Sequence, residues 1–146
     1  MIRIVPFPLR PALPILACAI SAIIPVATTA NPSPEIALGR QVYAAQCASC
    51  HGVNLEGQTN WREPGPNGRL PAPPHDVSGH TWHHPDAQLL AIIRDGTAAL
   101  VGNGYQSDMP GFAGKLTEAE MRAVLAFIKS TWPDRAAEYQ RQVSGE

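Results

Sequence analysis

Charge is scarce in this chain. Asp, Glu, Lys and Arg make up only 16% of the 146 residues, and the formal net charge is −1. No basic run occurs, so the electrostatic footprint of a nucleic-acid binder is missing. There are no internal repeats, which excludes a stacked-repeat architecture. Nothing in the pattern of apolar residues demands a β-sheet. Cysteine is sparse as well, with Cys18, Cys47 and Cys50 the only three. Cys47 and Cys50 are too close together to staple a fold by closing a long loop, so a chemical role suits them better. The length suggests one domain.

Acidic residues are absent before Glu35, and Arg3 and Arg10 are the only charges there. Between Arg10 and Asn31 runs "PALPILACAISAIIPVATTA". A basic start, a short apolar middle and small residues at the end make residues 1–30 a secretory signal peptide. Thr28 and Ala30 favour cleavage after Ala30, with cleavage after Ala27 a second option. Two readings compete. If retained, the run would anchor the chain in a membrane, although Pro11, Pro14 and Pro25 break the span of about 20 residues that a crossing helix needs. "ILAC" also resembles a lipoprotein cleavage site at Cys18, but its upstream apolar run is short and the hydrophobicity continues beyond it. Removal of Arg3 and Arg10 shifts the net charge of the remaining domain, residues 31–146, from −1 to −3. Export places that domain in an oxidising compartment, the periplasm.

Within 31–146 the helix signals are few but clear. Ser33-Pro34-Glu35 is a helix start: an N-cap serine, proline at the first position and an acid near the positive end. Ile36, Gly39, Tyr43 and Cys47 follow at helical spacing. A Pro- and Gly-rich stretch from Gly52 to about His84 contains "EPGPNGRLPAPP" and holds little regular structure. Pro85-Asp86 opens a second helix, "PDAQLLAIIRD", and Gly96 stops it. After an irregular stretch with "GNGYQSDMPGF", Thr117 to Glu120 form a capping box. That box opens the clearest helix, with Met121, Val124, Leu125, Ile128 and Trp132 on one face. Pro133 ends or kinks it, and the tail "DRAAEYQRQVSGE" adds a polar helical turn. An irregular segment this long is unusual inside a small domain. Three modest helices bury little surface, and small chains of this kind rely on an added core.

"CASCH", Cys47 to His51, announces that core. A C-x-x-C-H sequence reads as a covalent haem attachment site. Two thiols three residues apart on a helical turn can each add to one vinyl group of the same porphyrin. The adjacent His51 is then carried under the ring to present Nε2 to the iron. Zinc would want a second Cys/His pair at finger spacing, and none exists. A thioredoxin-like redox pair would need a βαβ context. A disulfide between near neighbours leaves His51 unexplained. The other ring nitrogen of His51 should donate to a carbonyl in "LPAPPH", with Pro73 and Pro74 the candidates. Met109 in "SDMPGF" offers a sixth ligand from a loop stiffened by Pro110, whereas Met121 has the position of a packing residue.

With these motifs the chain resembles the class I c-type cytochromes, small monohaem electron carriers of bacteria. The resemblance spans about Ile36 to Trp132. It rests on Gly39 and Tyr43 ahead of "CASCH", the Pro-rich segment, "IIRDG", "MPGF", and Val124 with Phe127 in the last helix. It implies an all-α cytochrome c fold: three or more helices and long irregular loops wrapped around one covalent haem. It also implies thioethers at Cys47 and Cys50, iron ligands His51 and Met109, and a close crossing of Gly39 and Tyr43 against Val124 and Phe127. His/Met ligation leaves no open iron site, so the expected role is single-electron transfer rather than catalysis. The implied partners are redox proteins: a dehydrogenase, an oxidase or a membrane complex. A rival reading is a haem enzyme or gas sensor with a labile sixth ligand, in which His80 or His83 replaces Met109.

The departure from the family pattern lies between Gly52 and His84, a Pro-rich loop that carries Trp61, Trp82 and most of "PPHDVSGHTWHHPD". That segment holds His75, His80, His83 and His84, four of the five histidines. One expectation is structural. His84 would cap the second helix, His75 would extend the Pro-rich wall, and Trp82 with a histidine would bond a haem propionate. The other is a second metal, since multi-His tracts bind copper, zinc or nickel, with Asp76 and Asp86 as possible oxygen donors. Trp61 and Tyr105 read as haem-packing or propionate groups. Arg62 and Arg69 either neutralise propionates or face solvent.

Overall fold

The computed structural model describes residues 31–146. The signal-peptide, anchor and Cys18 readings therefore lie outside the described residues. Helix α1 covers Pro34–Gln46, and Ser33 Oγ accepts the Ile36 backbone N–H at 3.3 Å. That bond satisfies one of the donors a helix start leaves orphaned. A single turn, α2, covers Ala48–His51, and a long segment without helix follows. A 3₁₀ turn over Thr81–His83 leads into α3, Asp86–Asp95, which Gly96 stops at φ 82°. A short helix absent from the sequence expectation, α4, spans Thr97–Val101.

Helix α5, Glu118–Lys129, opens on the anticipated capping box. Thr117 Oγ1 accepts the Glu120 N–H at 3.2 Å, and Glu120 Oε2 accepts the Thr117 N–H at 2.8 Å. Its buried face carries Met121, Val124, Leu125, Phe127 and Ile128. The described residues contain six α-helices and no strand, which is the all-α architecture expected.

The core forms where α1 crosses α5. Val42 and Tyr43 share one buried cluster with Val124, Phe127 and Ile128, and Leu55, Phe112, Leu116, Met121, Trp132 and Ala136 complete it. The rings of Tyr43 and Phe127 lie 5.4 Å apart. Gly39 permits the approach: a Cβ there would fall 1.9 Å from the Ala123 carbonyl oxygen and 2.8 Å from Phe127 Cβ. The implied crossing partners were Val124 and Phe127. Phe127 meets both Gly39 and Tyr43, while the atom nearest Gly39 is backbone of Ala123.

The tail differs most from expectation. In place of one turn it forms α6, Asp134–Ser144, eleven residues long. This helix lacks a broad apolar stripe, which is why periodicity under-read it. Ala136 joins the core cluster with Ala137 against it, and a polar anchor fastens the helix further. Gln140 is fully buried, and its amide nitrogen reaches Asp86 Oδ1 (2.5 Å), Ser144 Oγ (2.9 Å) and the His84 carbonyl (3.3 Å). Lys129 adds an ion pair to Asp86 at 2.7 Å, so the ends of α3, α5 and α6 share one half-buried charge.

The α1–α5 contact makes a clear prediction. Gly39→Ala must push the helices apart because the obstructing atom is backbone. Overpacking of this kind costs about 1–3 kcal/mol, and thermal unfolding of the substituted protein should show that loss.

Candidate functional site

Helix α1 runs almost directly into the cysteine motif. The Cys47 N–H donates to the Tyr43 carbonyl (2.9 Å), and the His51 N–H donates to the Cys47 carbonyl (2.9 Å). Cys47, Cys50 and His51 are thus set around one helical turn, where positions three and four apart are neighbours. Tyr43 braces the end of the motif, its hydroxyl donating to the Gly52 carbonyl at 2.9 Å. Both cysteines are free thiols. Cys47 is partly buried against the core, and burial, then the neighbouring Cys50, pushes its thiol up to about 11. Cys50 is exposed.

His51 is buried, and its Nδ1 lies 2.8 Å from the Pro73 carbonyl oxygen. A carbonyl only accepts, so Nδ1 carries the proton and Nε2 is left with its lone pair. Of the two carbonyls anticipated, Pro73 is the partner. Burial lowers the His51 pKa, and the bond to Pro73 opposes that shift. Burial therefore favours the neutral imidazole, the form that binds a metal.

Two glycines clamp the prolines. A Cβ on Gly57 would lie 2.4 Å from Pro74 N and 2.7 Å from the Pro73 carbonyl carbon. A Cβ on Gly79 would lie 2.0 Å from the Pro74 carbonyl oxygen. Backbone bonds stitch the rest: His75 N–H to the Leu55 carbonyl (2.8 Å) and Gln58 N–H to the Ala72 carbonyl (2.9 Å). The segment that lacks regular structure is thus ordered by its own cross-links.

Met109 sits on a loop packed against the end of α3. The Phe112 N–H donates to the Ile93 carbonyl and the Ala113 N–H to the Arg94 carbonyl, each at 3.0 Å. Gly96 and Gly111 allow this contact, since a Cβ on Gly111 would lie 2.7 Å from the Arg94 carbonyl oxygen. The Met109 side chain packs on the same core cluster as Cys47. Its neighbour Asp108 forms an ion pair with Arg69, tying this loop to the Pro-rich segment. Met121 is buried in the core, the packing role anticipated for it.

Of the four clustered histidines only His80 and His84 meet, edge to face with ring centroids 5.3 Å apart. His75 stacks on His51, with ring centroids 4.0 Å apart, and burial holds its pKa well below the ordinary imidazole value. His80 stacks on Trp61 at 5.2 Å. His83 lies against Trp82 at 3.8 Å and against Tyr139 at 5.7 Å. His84 does not cap α3 with its side chain; Ser144 Oγ accepts the Asp86 N–H at 3.0 Å instead. The Trp82 indole donates to the Val77 carbonyl at 3.4 Å, so its donor is already engaged. Among the described residues no three His, Cys, Asp or Glu side chains converge as a metal-binding group. Sequence reasoning missed Gln140 and Ser144, single polar residues in a polar tail that carry no local signal.

The family model described as Cytochrome c matches residues 36–132. The chain belongs to the cytochrome c family. Haem-based electron transfer is the function this domain supports. No curated protein and no solved structure matches the chain. The donor set fits a family that binds haem: two free thiols three residues apart, followed at once by a buried, neutral imidazole with an unprotonated Nε2.

The proline clamp is open to test. Gly79→Ala places a methyl group against the Pro74 carbonyl and moves the acceptor of His51. A stability loss of about 1–3 kcal/mol is expected from overpacking, and chemical denaturation would measure it.

Proposed function

We propose that this chain is an exported, periplasmic monohaem electron carrier. Cys47 and Cys50 would hold one haem through thioether bonds, and His51 and Met109 would ligate its iron. The observation that carries this reading is the bond from His51 Nδ1 to the Pro73 carbonyl at 2.8 Å. It sets the tautomer that leaves Nε2 available, and donation to a carbonyl raises the basicity of that nitrogen.

A haem held there supplies a one-electron ferrous/ferric couple. The protein's contribution is to bind, orient and shield. The Cys47–His51 turn fixes attachment and ligand together. Met109 offers a soft thioether, which favours the ferrous state and raises the potential. Its loop is fastened to α3 by backbone bonds and to Arg69 through Asp108, which supports a ligand that stays in place. A filled coordination sphere leaves no site for substrate, and so favours a carrier over an enzyme.

Electrons pass to and from redox proteins such as a dehydrogenase, an oxidase or a membrane complex, during brief docking over small interfaces. Delivery to the periplasm follows from the N-terminal segment, residues 1–30. No helix among the described residues is long and apolar enough to cross a membrane. If the N-terminal segment is retained, that segment alone would supply the anchor.

The optical spectrum tests the ligand set. The ferric protein should show the weak far-red charge-transfer band of a Met-bound haem. Met109→Ala should abolish the band, lower the midpoint potential and let carbon monoxide bind the ferrous form. Absence of the band in the unaltered protein would remove Met109 from the iron. Replacing Cys47 and Cys50 together with Ser should block covalent loading. The unloaded chain should lose much of its helical circular dichroism, since so small a domain has little core of its own.

A further inference from the structure

The hydrogen bond to Pro73 fixes which nitrogen of His51 carries the proton. It does not fix the plane of the ring, because acceptance at a carbonyl oxygen tolerates a broad range of directions. A second contact is needed to stop rotation about that bond, and the structure contains one. The His75 ring lies face to face with His51, centroids 4.0 Å apart and planes inclined by 22°.

His75 is itself held from several sides. Its backbone N–H donates to the Leu55 carbonyl at 2.8 Å, and its carbonyl accepts the Trp132 indole N–H at 2.7 Å. Its Nδ1 lies 2.8 Å from Thr81 Oγ1. Thr81 is buried, and its hydroxyl donates to the Pro74 carbonyl at 3.4 Å, so it receives the proton of His75 Nδ1. Tyr43 meets the ring edge-on at 6.4 Å. A ring anchored at its backbone, its Nδ1 and its edge is a firm surface for another ring to lie against.

We infer that His75 is a positioning residue that sets the orientation of the His51 imidazole plane relative to the Cys47–Cys50 turn. Pro73 and His75, two residues apart, would thus control two different freedoms of one side chain: the carbonyl selects the tautomer and the ring selects the plane. This inference rests on the reading of His51 as an iron ligand. Flat stacking of the two imidazoles, rather than an edge contact, is the arrangement that restricts rotation.

The test uses the haem-loaded protein and the variants His75→Ala, His75→Phe and Thr81→Val. In a ferric low-spin haem, the EPR g values and the proton NMR shifts of the haem methyl groups depend on the planes of the axial ligands. His75→Ala should alter the g values and reorder or narrow the methyl shifts while the far-red Met band persists. His75→Phe keeps a stacked ring without Nδ1 and should restore the pattern of the unaltered protein. Thr81→Val loosens His75 and should shift the pattern in the direction of His75→Ala. If His75→Ala fails to load, the contrast between His75→Phe and Thr81→Val still decides. Unchanged g values and methyl order in both His75→Ala and Thr81→Val, or in Thr81→Val alone where only that variant loads, would overturn the inference. A pattern in His75→Phe unlike that of the unaltered protein would overturn it as well. Failure of the underlying ligand assignment looks different: the unaltered protein would then lack a histidine-ligated low-spin spectrum.

Discussion

The contact between His51 and the Pro73 carbonyl governs the rest of this molecule. It joins positions 22 residues apart, and almost everything between them is irregular. A segment with so much proline and glycine cannot satisfy its backbone through helices. It does so through cross-links, such as Gly57 N–H to the His51 carbonyl at 2.8 Å and His75 N–H to the Leu55 carbonyl at 2.8 Å. Proline makes this feasible by removing donors that would need partners and by limiting the freedom lost on ordering. Glycine at positions 57 and 79 then lets two backbone strands lie closer than any side chain would allow. The result is a rigid wall assembled from residues that usually signal disorder.

The same logic explains which features were legible in the sequence. Helices α1, α3 and α5 announced themselves through Ser33-Pro34, Pro85-Asp86 and Thr117–Glu120, because caps and periodicity are local properties. The cysteine motif was legible because its spacing is itself the chemistry. Even the acceptor of His51 could be narrowed to two carbonyls, since proline carbonyls in a stiff loop leave few choices. Helix α6 was under-read because its apolar contacts are small or lie at the surface, Ala136 and Ala137 on the core and Tyr139 on Trp82, while its fully buried side chain, Gln140, is polar. The fate of the four histidines was not legible at all. Adjacent positions such as Trp82 and His83 look alike in sequence, yet the ring surfaces they meet are set by residues far along the chain.

The dense histidine run also shows why proximity in sequence is a poor guide to a metal site. Around a 3₁₀ turn, successive side chains point in different directions. His75 turns toward His51, His80 toward Trp61, and His83 toward Tyr139. His84 meets the His80 ring at 5.3 Å, and no third ligating side chain among the described residues joins that pair.

The indole of Trp132 reaches back 57 residues to the His75 carbonyl, and Gln140 reaches back 56 residues to that of His84. Such spans give an all-α chain the long-range wiring more common in slow-folding β proteins. During synthesis the Pro-rich wall emerges well before the partners that pin it. The Pro-rich wall is therefore held by side chains that come 57 and 56 residues later, which ties its order to the C-terminal end of the chain.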